Sequence, residues 1–147
     1  MSDAKRSMQK ALRSILCPEI RRRGFKGAFP NLRRLGKNRY DLLSIYFMPY
    51  GGGFVVELAK CTPAEFQELQ TRHKGVVPDK LCVGHLANRF RLNPNNPPFD
   101  HHFKFEPSYL DVPPSQRKAQ SLEYYGEIAA SIVPLLDSQA EPWFNAL

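Results

Sequence analysis

The sequence lacks any long apolar run. Its longest apolar stretches, such as residues 42–48, are far shorter than the roughly 20 residues that a helix needs to cross a bilayer. The first ten residues, MSDAKRSMQK, contain no apolar segment of the kind that a secretory signal requires. These two absences exclude a membrane-spanning helix, and we expect a cytoplasmic protein that does not bind membranes.

Cysteine is also scarce. The three residues Cys17, Cys61 and Cys82 are odd in number and irregularly spaced, which does not suit a disulfide framework and favours a reducing compartment. A chain of 147 residues with 42% hydrophobic residues can bury a core without a disulfide or a metal ion. We therefore expect a single domain that spans residues 1–147.

Acidic residues are nearly missing from the first quarter of the chain. Residues 1–39 contain twelve Lys or Arg but only Asp3 and Glu19, so this part carries a charge of +10. The remaining residues carry −3, which gives the net charge of +7. A local excess of positive charge suits nucleic acid, an anionic membrane or an acidic protein surface, and charge alone does not choose among them.

The pattern around which the other elements are arranged lies in residues 39–61, RYDLLSIYFMPYGGGFVVELAKC. Two alternating apolar runs flank the glycines at 51–53, which predicts a β-hairpin with its turn at these glycines. Because side chains alternate along a strand, Leu43 and Phe47 should lie on the same side and form the centre of the core. Glu57 should lie on the opposite, wetter side of the second strand.

Further elements follow from periodicity and from capping residues. A helix should begin with Asp3 as its cap, contain a proline kink or a new first turn at Pro18, and end at Gly24. A strand is predicted over 27–35. The sequence Thr-Pro-Ala-Glu at 62–65 predicts a capping box and a helix over 63–73.

The second half of the chain adds two strands and a helix. One strand is predicted within 81–92 and another over 99–105, separated by the Pro-Asn insert at 93–98. A long helix should run from Ser115, with a kink at Pro134. The predicted fold is α+β, with an antiparallel sheet of about five strands packed by an N-terminal and a long C-terminal helix.

Several local strings resemble one known family. They are ILCPEIRRRGFK (15–26), YDLLSIYFMPYGGGFVVELAKC (40–61), ANRFRL (87–92) and AEPWFNAL (140–147). These strings resemble the uncharacterised bacterial family catalogued as "domain of unknown function 4304". The resemblance spans most of the chain, and the insert at 93–98 departs from the family pattern. It implies a fold and transfers no catalytic residue. A looser likeness to toxin-neutralising immunity proteins is an analogy at the level of fold.

Histidine and cysteine offer two weaker chemical candidates. Cys82 and His85 have the spacing of half a zinc motif, which would need Cys61, His101 or His102 to complete it. Structural zinc sites usually show two paired ligand motifs, so we predict no metal and no cofactor.

The second candidate is a general acid and base formed by His101 or His102, with Asp100 orienting the ring. Adjacent residues of a strand face opposite sides, so only one of the two rings could enter a site, and no nucleophile is identifiable. The glycines at 51–53 lack the lysine and helix of a phosphate-binding loop. A small histidine-dependent enzyme is therefore the third-ranked function.

The basic segment is the first-ranked candidate site. We expect a non-enzymatic interaction domain that regulates or neutralises a partner protein with an acidic surface. Binding of nucleic acid by the same residues is the second-ranked function. A charged, solvated face with no partner is the structural alternative. The predicted binding residues are Arg21, Arg22, Arg23, Lys26, Arg33, Arg34, Lys37 and Arg39.

Overall fold

The protein, here as a computed structural model, is described over residues 1–94, 101–116 and 118–146. Within these ranges six strands form one antiparallel sheet: β1 (Lys26–Ala28), β2 (Asn31–Leu35), β3 (Tyr40–Phe47), β4 (Gly51–Cys61), β5 (Arg89–Arg91) and β6 (Phe103–Ser108). The order is β1-β2-β3-β4-β5, and β6 also pairs with β4. Since β5 pairs with residues 57–59 and β6 with residues 51–54, the two strands share one edge of β4.

The helices lie at both ends of the chain and between β4 and β5. They are α1 (Asp3–Ala11), α2 (Cys17–Arg22), α3 (Pro63–Arg72), α4 (Leu122–Leu135) and α5 (Glu141–Asn145). One π turn joins α1 to α2, and another joins α4 to α5. This arrangement confirms the predicted α+β fold class. No helix in the described part of the chain is long and apolar enough to span a membrane.

The sheet has one fully covered face and one partly covered face. The main core lies on the face that carries Leu43 and Phe54, where buried residues of α1, α2, α4 and α5 pack on the sheet. A smaller core on the other face joins Leu42 of β3 to Phe66 and Leu69 of α3. Beside the smaller core, the same face carries a groove that is described below.

The N-terminal helix begins one residue earlier than predicted. The cap is Ser2, not Asp3: Ser2 has extended backbone angles, and its Oγ accepts a hydrogen bond from the N–H of Lys5. Asp3 instead lies in the first turn, where a carboxylate suits the helix dipole. Pro18 lies in the first turn of α2, and the chain leaves that helix at Gly24 with a φ of +94°, as predicted.

The prediction of one continuous strand over 27–35 was wrong. A turn at Phe29 and Pro30 divides it into β1 and β2, because proline has no N–H to extend a ladder. The hairpin of β3 and β4 is confirmed, but its turn runs from Met48 to Gly51. Gly51 and Gly52 have positive φ, whereas Gly53 lies in the ladder between β4 and β6.

Three boundaries in the second half also differ from the prediction. Only Arg89–Arg91 forms a strand within 81–92, because a short 3-10 turn at Val83–His85 comes first. The long helix α4 starts after the cap Ser121, not at Ser115. β6 runs over Phe103–Ser108, and residues 101–102 of the strand predicted over 99–105 lie outside it. Residues 95–98 of the predicted insert and the first two residues of the predicted strand lie outside the described ranges. Helix α3 and its capping box are confirmed.

Candidate functional site

The eight predicted binding residues divide into two groups. Four of them form ion pairs within the fold: Arg22, Arg23, Arg34 and Arg39. The other four form no ion pair with a carboxylate of the described residues: Arg21, Lys26, Arg33 and Lys37. The sequence therefore located the cations but did not separate those that hold the fold from those that are available.

Arg34 is the most constrained of the paired group. Its Nε donates to Asp41 Oδ2 at 2.9 Å, and its Nη1 donates to Glu141 Oε1 at 2.9 Å and to the carbonyl oxygen of Arg23 at 2.9 Å. The guanidinium also lies 4.6 Å from the ring centre of Phe25. Burial opposes its charge, but the bonds to Glu141 and Asp41 outweigh burial and raise the pKa of Arg34. Arg34 thus joins the sheet to both terminal helices.

The remaining paired arginines also hold parts of the fold together. Arg39 Nη2 donates to Asp41 Oδ2 at 3.0 Å, so this buried carboxylate is held by two arginines. Arg23 makes a two-pronged pair with Asp137, in which its hydrogen bonds lower the pKa of the carboxyl. Arg22 pairs with Glu19 on the same helix and stays exposed. Three of these four arginines, namely Arg23, Arg34 and Arg39, thus form ion pairs that connect separate parts of the fold. Their predicted role in binding a partner stays a prediction.

The unpaired cations gather around strand β1. All three residues of β1 are exposed, and Lys26 is one of them. Arg21 Nη2 donates to the carbonyl oxygen of Gly27 at 3.1 Å, and Arg33 Nε donates to that of Leu81 at 2.9 Å. Both arginines are thus held in place by neutral carbonyl groups, which do not compensate the positive charge. Lys37 lies further along, in the turn between β2 and β3.

One further cation belongs to this surface and was missed by the sequence reasoning. The guanidinium carbon of Arg13 lies 4.8 Å from the ring centre of Phe29, in the turn that follows β1. Arg13, Cys17 and Arg21 are spaced by four residues, which places them on one side of a helix. This spacing could have indicated from the sequence that Arg13 lies beside Arg21. We call Arg13, Arg21, Lys26 and Arg33 the basic edge.

A cleft of about 380 Å³ borders the basic edge. Lys26 and Arg33 line it, and Asp79 contributes a carboxylate. Gly24 and Gly27 form part of its wall with φ values of +94° and +108°. A Cβ atom at Gly27 would lie 2.9 Å from the carbonyl oxygen of Asn31, so only glycine allows β1 to approach β2 here.

The candidate zinc ligands do not form a complete site in the described residues. Cys82 Sγ lies 3.4 Å from His85 Nδ1, which also accepts the N–H of Cys82 at 3.1 Å, so this contact belongs to one local turn. Cys61 is buried in the smaller core. Within the described ranges no three His, Cys, Asp or Glu side chains are placed to hold a metal ion.

The histidine pair shows no catalytic arrangement in the described residues. His102 Nε2 lies 3.1 Å from Met48 Sδ, a contact with a side chain that is neither nucleophile nor acid. His101 precedes it and is half-buried. Asp100, the residue predicted to orient a ring, lies outside the described ranges. The described contacts of these two histidines therefore include no nucleophile.

We expect one of the three thiols to react with an aromatic disulfide reagent at pH 8 while the protein is folded. Burial, with smaller contributions from Glu65 and Asp41, raises the pKa of Cys61 to about 11. Burial also raises the pKa of Cys17, against the opposing effect of Arg21 and Arg13. Cys82 is half-buried and should provide the reactive thiolate. The number of reactive thiols and their rate of reaction are measured from the absorbance of the aromatic thiolate that the reagent releases.

The variant Cys82→Ser is the matched control, because it removes the reactive thiol and leaves the two buried ones. It should show no reaction until denaturant is added. Equal rates for two or three thiols in the folded parent would contradict the burial of Cys17 and Cys61.

Comparison with known protein families, with curated proteins and with solved structures found no match. Membership of the family catalogued as domain of unknown function 4304 therefore stays a prediction.

Proposed function

We propose that this protein is a non-enzymatic interaction domain that binds an acidic segment of a partner protein at the basic edge. One observation carries the proposal: four cations surround an exposed strand, and none is paired with a carboxylate of the described residues. The arginines that the fold uses, such as Arg34 and Arg23, have their own carboxylates. Partner binding would supply the missing negative charge.

Charge of this kind acts first on the rate of association. Complementary potentials steer two proteins together and exclude partners of the wrong sign. Charged residues on an edge strand also prevent unwanted pairing between sheets, which is the purely structural explanation for the basic edge. The two explanations differ in one respect, because only the first predicts a partner whose binding depends on these cations.

The double variant Arg21→Glu and Lys26→Glu tests the proposal. We expect it to weaken partner binding by at least tenfold, mainly through slower association, because both side chains are exposed at the basic edge. Partners are first captured from nuclease-treated lysate of the native cell, and binding is then measured with the purified partner by surface plasmon resonance. A triple reversal at 21–23 is less suitable, because Arg23 holds Asp137.

The matched control is Lys74→Glu with Lys118→Glu, which changes the charge equally at exposed positions away from the basic edge. This control should bind within about twofold of the parent. Equal loss in both variants would show that net charge, and not the basic edge, governs binding. Unchanged binding in the test variant would overturn the proposal.

Nucleic acid is the competing ligand for the same cations, and salt dependence separates the two. A complex with Z phosphate contacts shows a log-log salt slope of about −0.9Z for duplex and −0.7Z for single strands. We expect only weak, non-specific binding to DNA or RNA, with a Kd on the order of 10⁻⁴–10⁻⁶ M at physiological salt. Submicromolar binding with a slope that falls by about one unit per cation removed would replace the protein partner with nucleic acid.

We also propose a cytoplasmic protein of the bacterial family named above, acting as a regulator or a neutralising immunity-type protein. Three free thiols support the reducing compartment. The four local strings quoted in the sequence analysis support the family.

A further inference from the structure

A second candidate site is a groove on the sheet face that carries the smaller core, beside that core. It is a groove of about 490 Å³, within the usual size range of small-molecule sites. The end near Leu42 is covered by the smaller core, and the turn at residues 82–84 forms one wall. Pro30 and Tyr46 contribute apolar surface to the groove.

A polar row crosses the floor of the groove. Asn31, Ser44, Glu57 and Arg91 are direct neighbours in the register of β2, β3, β4 and β5. Ser44 Oγ donates to Asn31 Oδ1 at 2.6 Å, and Arg91 Nε donates to Glu57 Oε2 at 2.7 Å. Four side chains on four strands are thus aligned on one rigid surface, which suits a preorganised site.

The carboxylate of Glu57 and the amide oxygen of Asn31 already accept hydrogen bonds within this row. Glu57 Oε1 accepts from Arg89 Nη1 at 3.1 Å and Glu57 Oε2 accepts from Arg91, so both carboxylate oxygens are satisfied. Asn31 Oδ1 is occupied by Ser44. Arg89 Nε donates to the carbonyl oxygen of Leu86 and its Nη2 donates to that of Gly84, which holds the neighbouring turn in place.

Several hydrogen-bond donors in the groove, in contrast, have no acceptor among the described residues. The amide N–H groups of Asn31, the hydroxyl of Tyr46 and the two terminal nitrogens of Arg91 have no hydrogen bond to any described residue. Arg91 keeps 44% of its side chain exposed, and Tyr46 is 55% exposed. A groove with free donors, an arginine whose terminal nitrogens are unused and an exposed aromatic ring suits a ligand that has oxygen acceptors and a flat face.

We propose that this groove binds a mononucleotide, in which a flat base is joined to a phosphate. The base stacks on the ring of Tyr46, since every base offers a π-face to an aromatic side chain. The phosphate accepts from the terminal nitrogens of Arg91, whose planar fork matches an oxyanion, and Asn31 donates to the remaining oxygens. Glu57 does not repel the phosphate strongly, because Arg89 and Arg91 together outweigh its charge.

This site is separate from the basic edge. It shares none of Arg13, Arg21, Lys26 and Arg33, and a carboxylate holds Arg91 in place. Loss of nucleotide binding in groove variants would therefore leave the proposed partner binding untouched, and the two proposals can fail independently.

Isothermal titration calorimetry with adenosine 5′-monophosphate tests the proposal, with adenosine and inorganic phosphate as the two halves of the ligand. We expect saturable one-site binding of the nucleotide and at least tenfold weaker binding of each half. Tyr46→Ala should weaken binding at least fivefold and Arg91→Gln about tenfold. The control Tyr50→Ala, which removes another exposed tyrosine at the hairpin turn, should bind like the parent.

Circular dichroism establishes that each variant is folded, and chemical shifts of the Tyr46 ring in the unmodified protein provide a readout without mutation. We expect these shifts to move on addition of the nucleotide. The proposal is overturned by the absence of saturation at 5 mM nucleotide, by Tyr46→Ala binding as well as the parent, or by unmoved Tyr46 shifts. It is also overturned if hexauridylate binds and the mononucleotide does not, because the site would then read a polymer.

Discussion

Replacing Phe54 by alanine is expected to lower the free energy of unfolding by about 3–5 kcal/mol. The ring is fully buried in β4 and contacts three other phenylalanines, with centroids 5.3 Å from Phe47, 5.4 Å from Phe103 and 6.2 Å from Phe105. Removing it leaves a cavity where β3, β4 and β6 meet, and close-packed neighbours relax only partly into such a space. Urea denaturation followed by circular dichroism measures the loss.

Two comparisons make this result specific. Tyr50→Ala removes an exposed ring at the turn between β3 and β4 and should stay within about 0.5 kcal/mol of the parent. Phe47→Ala should cost less than Phe54→Ala, because Phe47 is half-buried at the rim of the core. If Phe54→Ala unfolds at the same urea concentration as the parent, the hairpin is not the centre of the core.

The hairpin could be predicted because its signal is local. Alternation over 39–61 placed Leu43 and Leu58 on the core side, and both are buried there. Phe47 was assigned to the centre of the core although it lies at the rim. Alternation gives the direction of a side chain but not its distance from the edge of the sheet, and only the positions of β6 and α1 set that distance.

Boundaries that depend on distant contacts were not predictable in the same way. The predicted strand within 81–92 shrinks to Arg89–Arg91, because the preceding residues Leu81 and Val83 turn into the smaller core instead of continuing a ladder. The division of 27–35 had a local signal, namely Pro30, which cannot extend a ladder by donating an N–H. The division at Pro30 was therefore predictable from the sequence.

In the candidate site, ion pairs with residues that are distant in the sequence were likewise not predictable. Arg33 and Arg34 are adjacent, and strand alternation sends their side chains to opposite faces. Arg34 meets Asp41 and Glu141, whereas Arg33 meets only a carbonyl oxygen. The contact with Asp41 follows from the local hairpin, in which Arg34 lies directly opposite Asp41. Glu141 is more than a hundred residues away in the sequence, so no local pattern could reveal that second contact.

The variant Arg34→Ala is expected to lower the free energy of unfolding by about 3 kcal/mol. Removing one member of a buried ion pair costs about 3–5 kcal/mol, because the partner charge stays behind uncompensated. The lower end applies here, since Arg34 keeps 23% of its side chain exposed and Arg39 still pairs with Asp41. Asp41 itself is only 3% exposed, so solvent cannot replace the lost hydrogen bonds.

Arg34→Lys and Arg22→Ala complete this test in urea denaturation. Lysine keeps the charge but not the planar fork that bridges Asp41 and Glu141, so Arg34→Lys should recover less than half of the loss. Arg22 is an exposed arginine paired with Glu19, and Arg22→Ala should cost no more than about 0.5 kcal/mol. If Arg34→Ala were as stable as Arg22→Ala, Arg34 would be solvated and would form no stabilising ion pair. Arg34 would then count as a fifth cation of the basic edge.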